Sequence, residues 1–345
     1  MPANRDGYDS LLGWAEQQQA THGWTRLIWV VEGTRSHGTG LARALLATGQ
    51  VVLEATRPAR PARRPGGKSD PKDALHAARA ALAAAHHAQP RCDGPREALR
   101  MLLTVRASAV TARTEAINQL KALIMQAPDQ LRDRLRRLTS TAQITACRRL
   151  RLPAGPDRDR LRRDPHSALT DAEHRARIAC LRRLAHRIGA LTGEADDAAA
   201  QITALVRALA PTLLDQIGVG PLTAAQILIS WSHPGRLRHE AAFAALAGVS
   251  PLDASSGRQQ RHRLNRYGDR ALNQALHTVI VTRERCDPRT KAYVQRRLDE
   301  GKTRREARRL LKRYLARQIY RHLERNHPPN HSRPLTQPAR PLDNT

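Results

Sequence analysis

Between Ile178 and Leu205 apolar residues recur in steps of three and four: Ile178, Leu181, Leu184, Ile188, Leu191, Ala195, Ala198, Ile202 and Leu205. A seam held over about four heptads commits the segment to one long helix burying a narrow face against another helix, as in a coiled coil. Its partner is either a second predicted helix or the same seam in another copy of the chain. That second helix, Pro95 to Met125, carries a stripe of Leu99, Leu103, Val110, Ile117, Leu120 and Ile124. An Arg-rich stretch broken by Pro153 and Pro156 separates the two.

Upstream of this helical middle the pattern changes. After a short amphipathic helix over Tyr8–Gln18 comes Leu27-Ile28-Trp29-Val30-Val31, a continuous apolar run closed by Glu32-Gly33-Thr34. The run predicts a strand buried on both faces, as in a parallel sheet. A helical segment, Leu41 to Ala47, and a second strand, Val51-Val52-Leu53-Glu54, complete a βαβ unit. Arg57 to Lys68 is a Pro/Arg/Gly loop, and Ser69-Asp70-Pro71 opens a helix running to about Ala85.

Downstream of Pro211 the pattern predicts short helices over Thr223–Ser230, His239–Ala247, Arg270–Arg285 and Arg304–Arg325, then a disordered tail from His327. The chain of 345 residues carries 59 Lys+Arg against 31 Asp+Glu, a net charge of +28. An excess of that size points to a polyanionic partner, nucleic acid before membrane. No stretch approaches the roughly 18 apolar residues of a membrane span, and the first residues lack a leader's basic and apolar regions. A cytoplasmic protein is the expectation. Cys92, Cys147, Cys180 and Cys286 lie far apart, which argues against a disulfide framework or a zinc site.

Three constellations offer chemistry. Glu32 lies at the carboxyl end of the first strand, the edge where open α/β sheets build their sites. Asp70 and Asp73, three apart at a helix start, share a face. Three converging carboxylates suit a hard divalent cation such as Mg²⁺, and two such ions clamp the attacking and leaving oxygens of a phosphodiester. On spacing alone the plainer reading comes first: Asp70 as an N-cap and Asp73 as a first-turn acid.

The second constellation is Ile217-Gly218-Val219-Gly220-Pro221, between two helices. Such a hairpin turns backbone N–H groups and a helix N-terminus toward a phosphate, or is an ordinary tight turn. The third is Ser255-Ser256-Gly257 followed by Arg258, Arg261, Arg263, Arg266 and Arg270. A hydroxyl ringed by guanidinium groups suits attack on phosphorus; the same residues also read as a turn beside a phosphate-binding strip. The basic helix around Leu310, Leu311, Leu315 and Ile319 reads as one laid on a nucleic-acid backbone. Aromatic residues at 3 % are too scarce for membrane anchoring.

Four segments occur in a telling order: Val31-Glu32-Gly33-Thr34; Gly67-Lys68-Ser69-Asp70-Pro71-Lys72-Asp73-Ala74; Ile217-Gly218-Val219-Gly220; and Ala247-Gly248-Val249-Ser250-Pro251 with Ser255-Ser256-Gly257. From about Tyr8 to about Leu323 the chain resembles transposases of the "one-ten" insertion sequences, the DEDD group that includes the pilin-gene invertase. The resemblance implies an α/β plus α fold: a partial RNase H-like (RuvC-like) domain over 1–92, a coiled-coil arm over 93–208, and a helical transposase domain with a helix-hairpin-helix over 209–326, before the tail 327–345. It also implies recombination of double-stranded DNA, guided by a structured RNA and carried out by a homo-oligomer, a dimer or tetramer.

By motif, Glu32 matches the family's Glu and Asp70 and Asp73 its final acidic pair, which together bind Mg²⁺. Ser256 matches the nucleophile, while Gly218, Gly220 and the arginines are candidate nucleic-acid contacts on the residue chemistry alone. The family's first Asp follows an apolar strand, whereas neither Asp6 nor Asp9 does. The first hairpin of the sheet is therefore missing, either because the chain is N-terminally truncated or because its start lies upstream. Two other readings remain: a non-catalytic nucleic-acid-binding relic, and a metal-only junction nuclease that needs the carboxylates but not Ser256.

Overall fold

The computed structural model describes residues 2–34, 36–55, 70–84, 89–91, 93–153, 165–250, 252–253, 262–263, 265 and 267–326. The loop Arg57–Lys68, the capping Ser69, Cys92, Ser255, Ser256, Arg258, Arg261, Arg266 and the tail from His327 lie outside them. The described chain is predominantly helical with few strands, an α/β plus α architecture. It divides into two compact units, one made of residues 1–97 and 210–345, the other of residues 98–209.

The first unit opens with α1 (Arg5–His22), capped by Asn4, whose side chain accepts from Gly7 N at 3.0 Å, and closed by Gly23 in the left-handed region. Then come β1 (Ile28–Val31), α2 (Thr39–Ala47) and β2 (Val51–Glu54). β1 pairs with β2 in parallel, Ile28 opposite Val51 and Val31 opposite Glu54, which is the expected βαβ unit. Leu12, Val31, Leu45 and Val52 form its core, with Trp29 and Leu41 packed against them. One expectation fails. β1 is not buried on both faces: Ile28 is 42 % exposed, and Trp29 and Val30 are only half-buried. Among the described residues β1 has β2 as its single neighbour, so its other edge has no strand to cover it. α3 (Asp70–Ala83) packs against β1.

The second unit holds most of α4 (Pro95–Met125), then α5 (Asp129–Arg136), α6 (Ser140–Arg148) and the 45-residue α7 (Pro165–Leu209). Ala116, Leu120 and Ile124 of α4 join Leu135, Cys147, and Leu181, Ala185 and Ile188 of α7 in one core. The seam is therefore satisfied along this stretch within the chain. Its register is corrected in two places, because Ala185 and Val206 are buried where Leu184 and Leu205 are only half-buried.

Chain from residue 210 returns to the first unit as α8 (Pro211–Leu214), α9 (Pro221–Trp231), α10 (Glu240–Leu246), the short strands β3 (Leu252–Asp253) and β4 (His262–Arg263), α11 (Arg270–Cys286), α12 (Pro288–Asp299) and α13 (Arg304–Asn326). α9 packs on α11, α10 on α13, and α12 on both α11 and α13. Phe243, Leu272, Leu276, Leu315 and Ile319 lie in the interior. The sequence pattern gave no helix over Pro288–Asp299. Asp287 caps it, accepting from the N–H groups of Arg289 and Thr290, each at 3.2 Å, with Pro288 in the first turn.

Candidate functional site

Glu32 follows the last residue of β1, and its side chain is exposed at the carboxyl edge of the strand. Gly33 turns the chain with φ +65° and accepts from Ser36 N at 2.8 Å and Gly38 N at 3.1 Å. Gly38 lies so close that a Cβ there would sit 2.3 Å from the Glu32 carbonyl oxygen, so a larger residue would displace Glu32. Thr34 is 4 % exposed. Its carbonyl accepts from the Thr39 hydroxyl at 3.0 Å, while its own Oγ1 is buried with no hydrogen-bond partner among the described residues. An unmatched buried hydroxyl costs about 1–3 kcal/mol.

Asp70 begins α3 and Asp73 stands one turn on, half-buried. Because α3 packs on β1, the helix bearing both acids lies beside the strand that leads to Glu32. Carboxylate oxygens are the kind of donor that a hard divalent cation takes. Among the described side chains no three His, Cys, Asp or Glu residues converge as metal ligands; the side chain of Asp70 lies outside the described atoms. Asp6 and Asp9 sit on α1 and follow no strand.

The glycine turn between α8 and α9 is held from behind. Gly218 has φ +80°, and a Cβ on it would meet the Val279 carbonyl of α11 at 2.9 Å. Arg283 of α11 donates from Nε to the Ile217 carbonyl at 2.6 Å and from Nη1 to Gln318 at 3.2 Å. Burial pushes the Arg283 pKa down, with Asp287 opposing. Gly220 caps α9: its N–H donates to Thr223 Oγ1 at 3.0 Å, and that hydroxyl donates back to the Gly220 carbonyl at 2.8 Å. A groove of about 480 Å³ follows the turn, lined by residues 214–223 and by Thr278 and Thr282 of α11.

The serine-bearing segment joins β3 to β4, which pair antiparallel with Leu252 opposite Arg263. Arg270 is exposed at the start of α11, and Arg263 lies on β4. Just before β3, Gly248 adopts φ +64°, and Gly268 packs on it so closely that a Cβ would come within 2.2 Å of Gly248 N. Asp269 N donates to the Leu246 carbonyl at 2.6 Å. The Asp269 carboxylate caps α11 and also accepts from Ser230 Oγ at 2.7 Å.

Part of the basic face of α13 is committed inside the protein. Arg317 and Arg321 pair with Glu240 of α10, and Arg304 and Arg308 with Glu284 of α11. Sequence reading missed Lys312, Asn273, Arg283 and Asp269. The one available signal is that Lys312 occurs in the register of the buried positions Ala307, Leu315, Ala316, Ile319 and Leu323.

No helix of the described residues is long and apolar enough to cross a membrane. A DEDD-type IS110 transposase model, described as "Transposase", matches residues 1–127, which include Glu32, Asp70 and Asp73. A second, described as "Transposase IS116/IS110/IS902 family", matches residues 210–295, which include the glycine turn and Ser256. The insertion element IS110 uncharacterized 43.6 kDa protein of Streptomyces coelicolor is 33 % identical over 111 residues, covering 31 % of this chain and 27 % of that relative. The aligned stretch thus spans about a quarter of the relative's length. With residues 1–127 and 210–295 each matched to an IS110-type transposase, the chain belongs to the IS110 family of transposases.

Proposed function

We propose that this chain is a site-specific DNA recombinase of an insertion sequence, acting on double-stranded DNA through a serine nucleophile. The observation that supports the reading is the shared unit: the strand leading to Glu32, the helix of Asp70 and Asp73, and the β3–β4 hairpin fall in one compact body, although residues 98–209 part them in sequence. In this reading the N-terminal part belongs to an RNase H-like domain, α7 is the arm of a homo-oligomer, and a structured RNA selects the sites.

The Ser256 oxygen attacks phosphorus and displaces the deoxyribose oxygen, leaving a phosphoserine link that conserves the bond for rejoining. Arg258, Arg261, Arg263, Arg266 and Arg270 offset the charge that gathers on the non-bridging oxygens. The Gly218–Gly220 turn and the N-terminus of α9 grip the DNA backbone. Glu32, Asp70 and Asp73 would hold Mg²⁺, which when bound supplies Lewis-acid charge for phosphodiester chemistry.

A second reading, a non-catalytic nucleic-acid-binding form, is favoured by one observation: Asp6 and Asp9 lie on α1 and neither follows a strand. One experiment separates the two. The chain is incubated with element-end DNA, transcript of the element and Mg²⁺, and covalent protein–DNA adducts are resolved on denaturing gels. Recombinase chemistry gives an adduct that Ser256→Ala abolishes with DNA binding intact, Ser255→Ala being milder. An adduct lost only in Ser255→Ala moves the nucleophile by one residue. Cleavage that survives loss of both serines but needs Glu32 and Asp73 means a metal-only nuclease. Binding without any adduct means the non-catalytic form.

A further inference from the structure

Lys312 of α13 is 7 % exposed. Its Nζ donates to Asn273 Oδ1 of α11 at 2.8 Å, and Asn273 in turn donates from Nδ2 to the Ala247 carbonyl at 2.7 Å. Next to Lys312, Arg313 donates from Nη1 to Ser250 Oγ at 3.2 Å. Ala247 and Ser250 bracket the stretch that leads into β3, and Gly268 and Asp269, which follow β4, close on the same stretch from the other side. Both feet of the β3–β4 hairpin therefore stand on α11, and the incoming foot is tied through two side chains to α13.

Lysine is a costly choice there. Burial pushes its pKa down, and Arg309 adds to the effect. His277 of α11 also faces it, its own pKa pushed down by burial first and then by Lys312 and Arg308. Glu284 of α11 is engaged with Arg304 and Arg308. Among the described residues no carboxylate lies within ion-pair distance of Lys312. Desolvating an ammonium against one amide oxygen loses free energy that a methionine of similar volume would not lose.

What the ammonium supplies is direction. A carboxamide can flip, exchanging its donor and acceptor ends. An ammonium only donates, so it obliges Asn273 to present oxygen to Lys312 and therefore NH₂ to Ala247. We propose that Lys312 is a positioning residue for strand transfer: it locks the Asn273 amide so that the amide pins the Ala247 carbonyl and fixes the foot of the serine-bearing hairpin. This rests on the serine reading above.

The test uses the full chain with Lys312→Met, and Asn273→Asp as a second variant that keeps the acceptor for Lys312 but loses the donor for Ala247. Three quantities are read: melting temperature, amide hydrogen exchange of peptides covering 246–253, and adduct yield at saturating DNA. Lys312→Met is expected to melt at or above the parent temperature, since it removes a desolvated charge. Exchange at 246–253 should rise about fivefold to tenfold for the lost hydrogen bond. Adduct formation should fall by roughly 100-fold with DNA affinity unchanged, the scale of a small misplacement of a reacting group. Asn273→Asp should show the same exchange and adduct changes, and it decides the matter if Lys312→Met fails to fold.

A merely structural lysine would lower the melting temperature and leave the adduct rate per folded molecule unchanged, which overturns the proposal. Unchanged exchange at 246–253 also overturns it, as does faster exchange with normal adduct formation. A parent chain that forms no adduct refutes the serine reading, and with it the link to strand transfer. The exchange data then still tell whether the amide lock exists.

Discussion

Arg283 donates from Nε to the carbonyl of Ile217 at 2.6 Å, so a residue of α11 holds the turn from which α9 starts. The guanidinium is an effective brace because it also reaches Gln318 of α13, tying three helices at one point. Replacing it with methionine removes an exposed hydrogen bond to the Ile217 carbonyl, and should cost about 0.5–1.5 kcal/mol. Gly218→Ala should cost about 1–3 kcal/mol, since φ +80° and the Val279 carbonyl both resist a Cβ. Urea titration checks both: the midpoint should fall with the slope unchanged.

His233 gives the first unit an acid-sensitive element. Its pKa is pushed down to about 4, by burial first and then by the charges of Arg236 and Arg96, with Glu54 opposing. An unfolded chain protonates this imidazole near its ordinary value of 6.5, before the folded protein does. Stability is therefore fully present above about pH 6.5 and is lost as pH falls toward 4. The loss should approach roughly 3 kcal/mol if His233 acts alone. Urea midpoints measured from pH 7 to pH 4 should show this fall, and His233→Gln should flatten it.

Nucleic-acid affinity should be governed by phosphates, given a net charge of +28. The logarithm of the association constant should fall linearly with the logarithm of salt between about 50 and 200 mM, each neutralised phosphate adding to the slope. Arg270→Gln should reduce the slope by about one. Arg317→Gln, which removes a partner of Glu240, should reduce it less. Fluorescence anisotropy with labelled duplex measures both.

In the arm, Leu181→Ala should destabilise by about 2–5 kcal/mol, because the side chain is fully buried among Leu120, Leu135 and Cys147. Leu184→Ala, half-buried at the edge of the same core, should cost distinctly less. Differential scanning calorimetry on the two variants ranks them.

That pair of leucines shows how far the sequence was readable. Steps of three and four identify the helix, but at 184–185 the pattern points to the larger residue as the buried one. The buried residue is Ala185, a small side chain in the shared core with α4, α5 and α6. The βαβ unit was legible because β-branched runs and their spacing are local signals. The exposure of Ile28 was not, since it depends on which neighbours a strand finds. α12 escaped because Pro288 reads as a breaker until Asp287 is recognised as its cap. Glu32 and the helix of Asp70 and Asp73 could be named from motif and position. Lys312 could not, because a charged residue on a basic helix reads as solvent-facing until Asn273 is placed beside it.

The partition of the chain has a consequence for its synthesis. The first unit is made from both ends of the sequence, residues 1–97 and 210–345, whereas residues 98–209 have a core of their own. On the ribosome the middle is complete before the end of the chain has emerged, so it matures first. The N-terminal βαβ unit belongs to a compact body that cannot close until residues 210–345 have been made. A nascent chain long enough to have released residues 98–209 from the ribosome, but not the end of the chain, would therefore hold a finished arm and an unfinished first unit, a state open to a chaperone or to a neighbouring nascent chain.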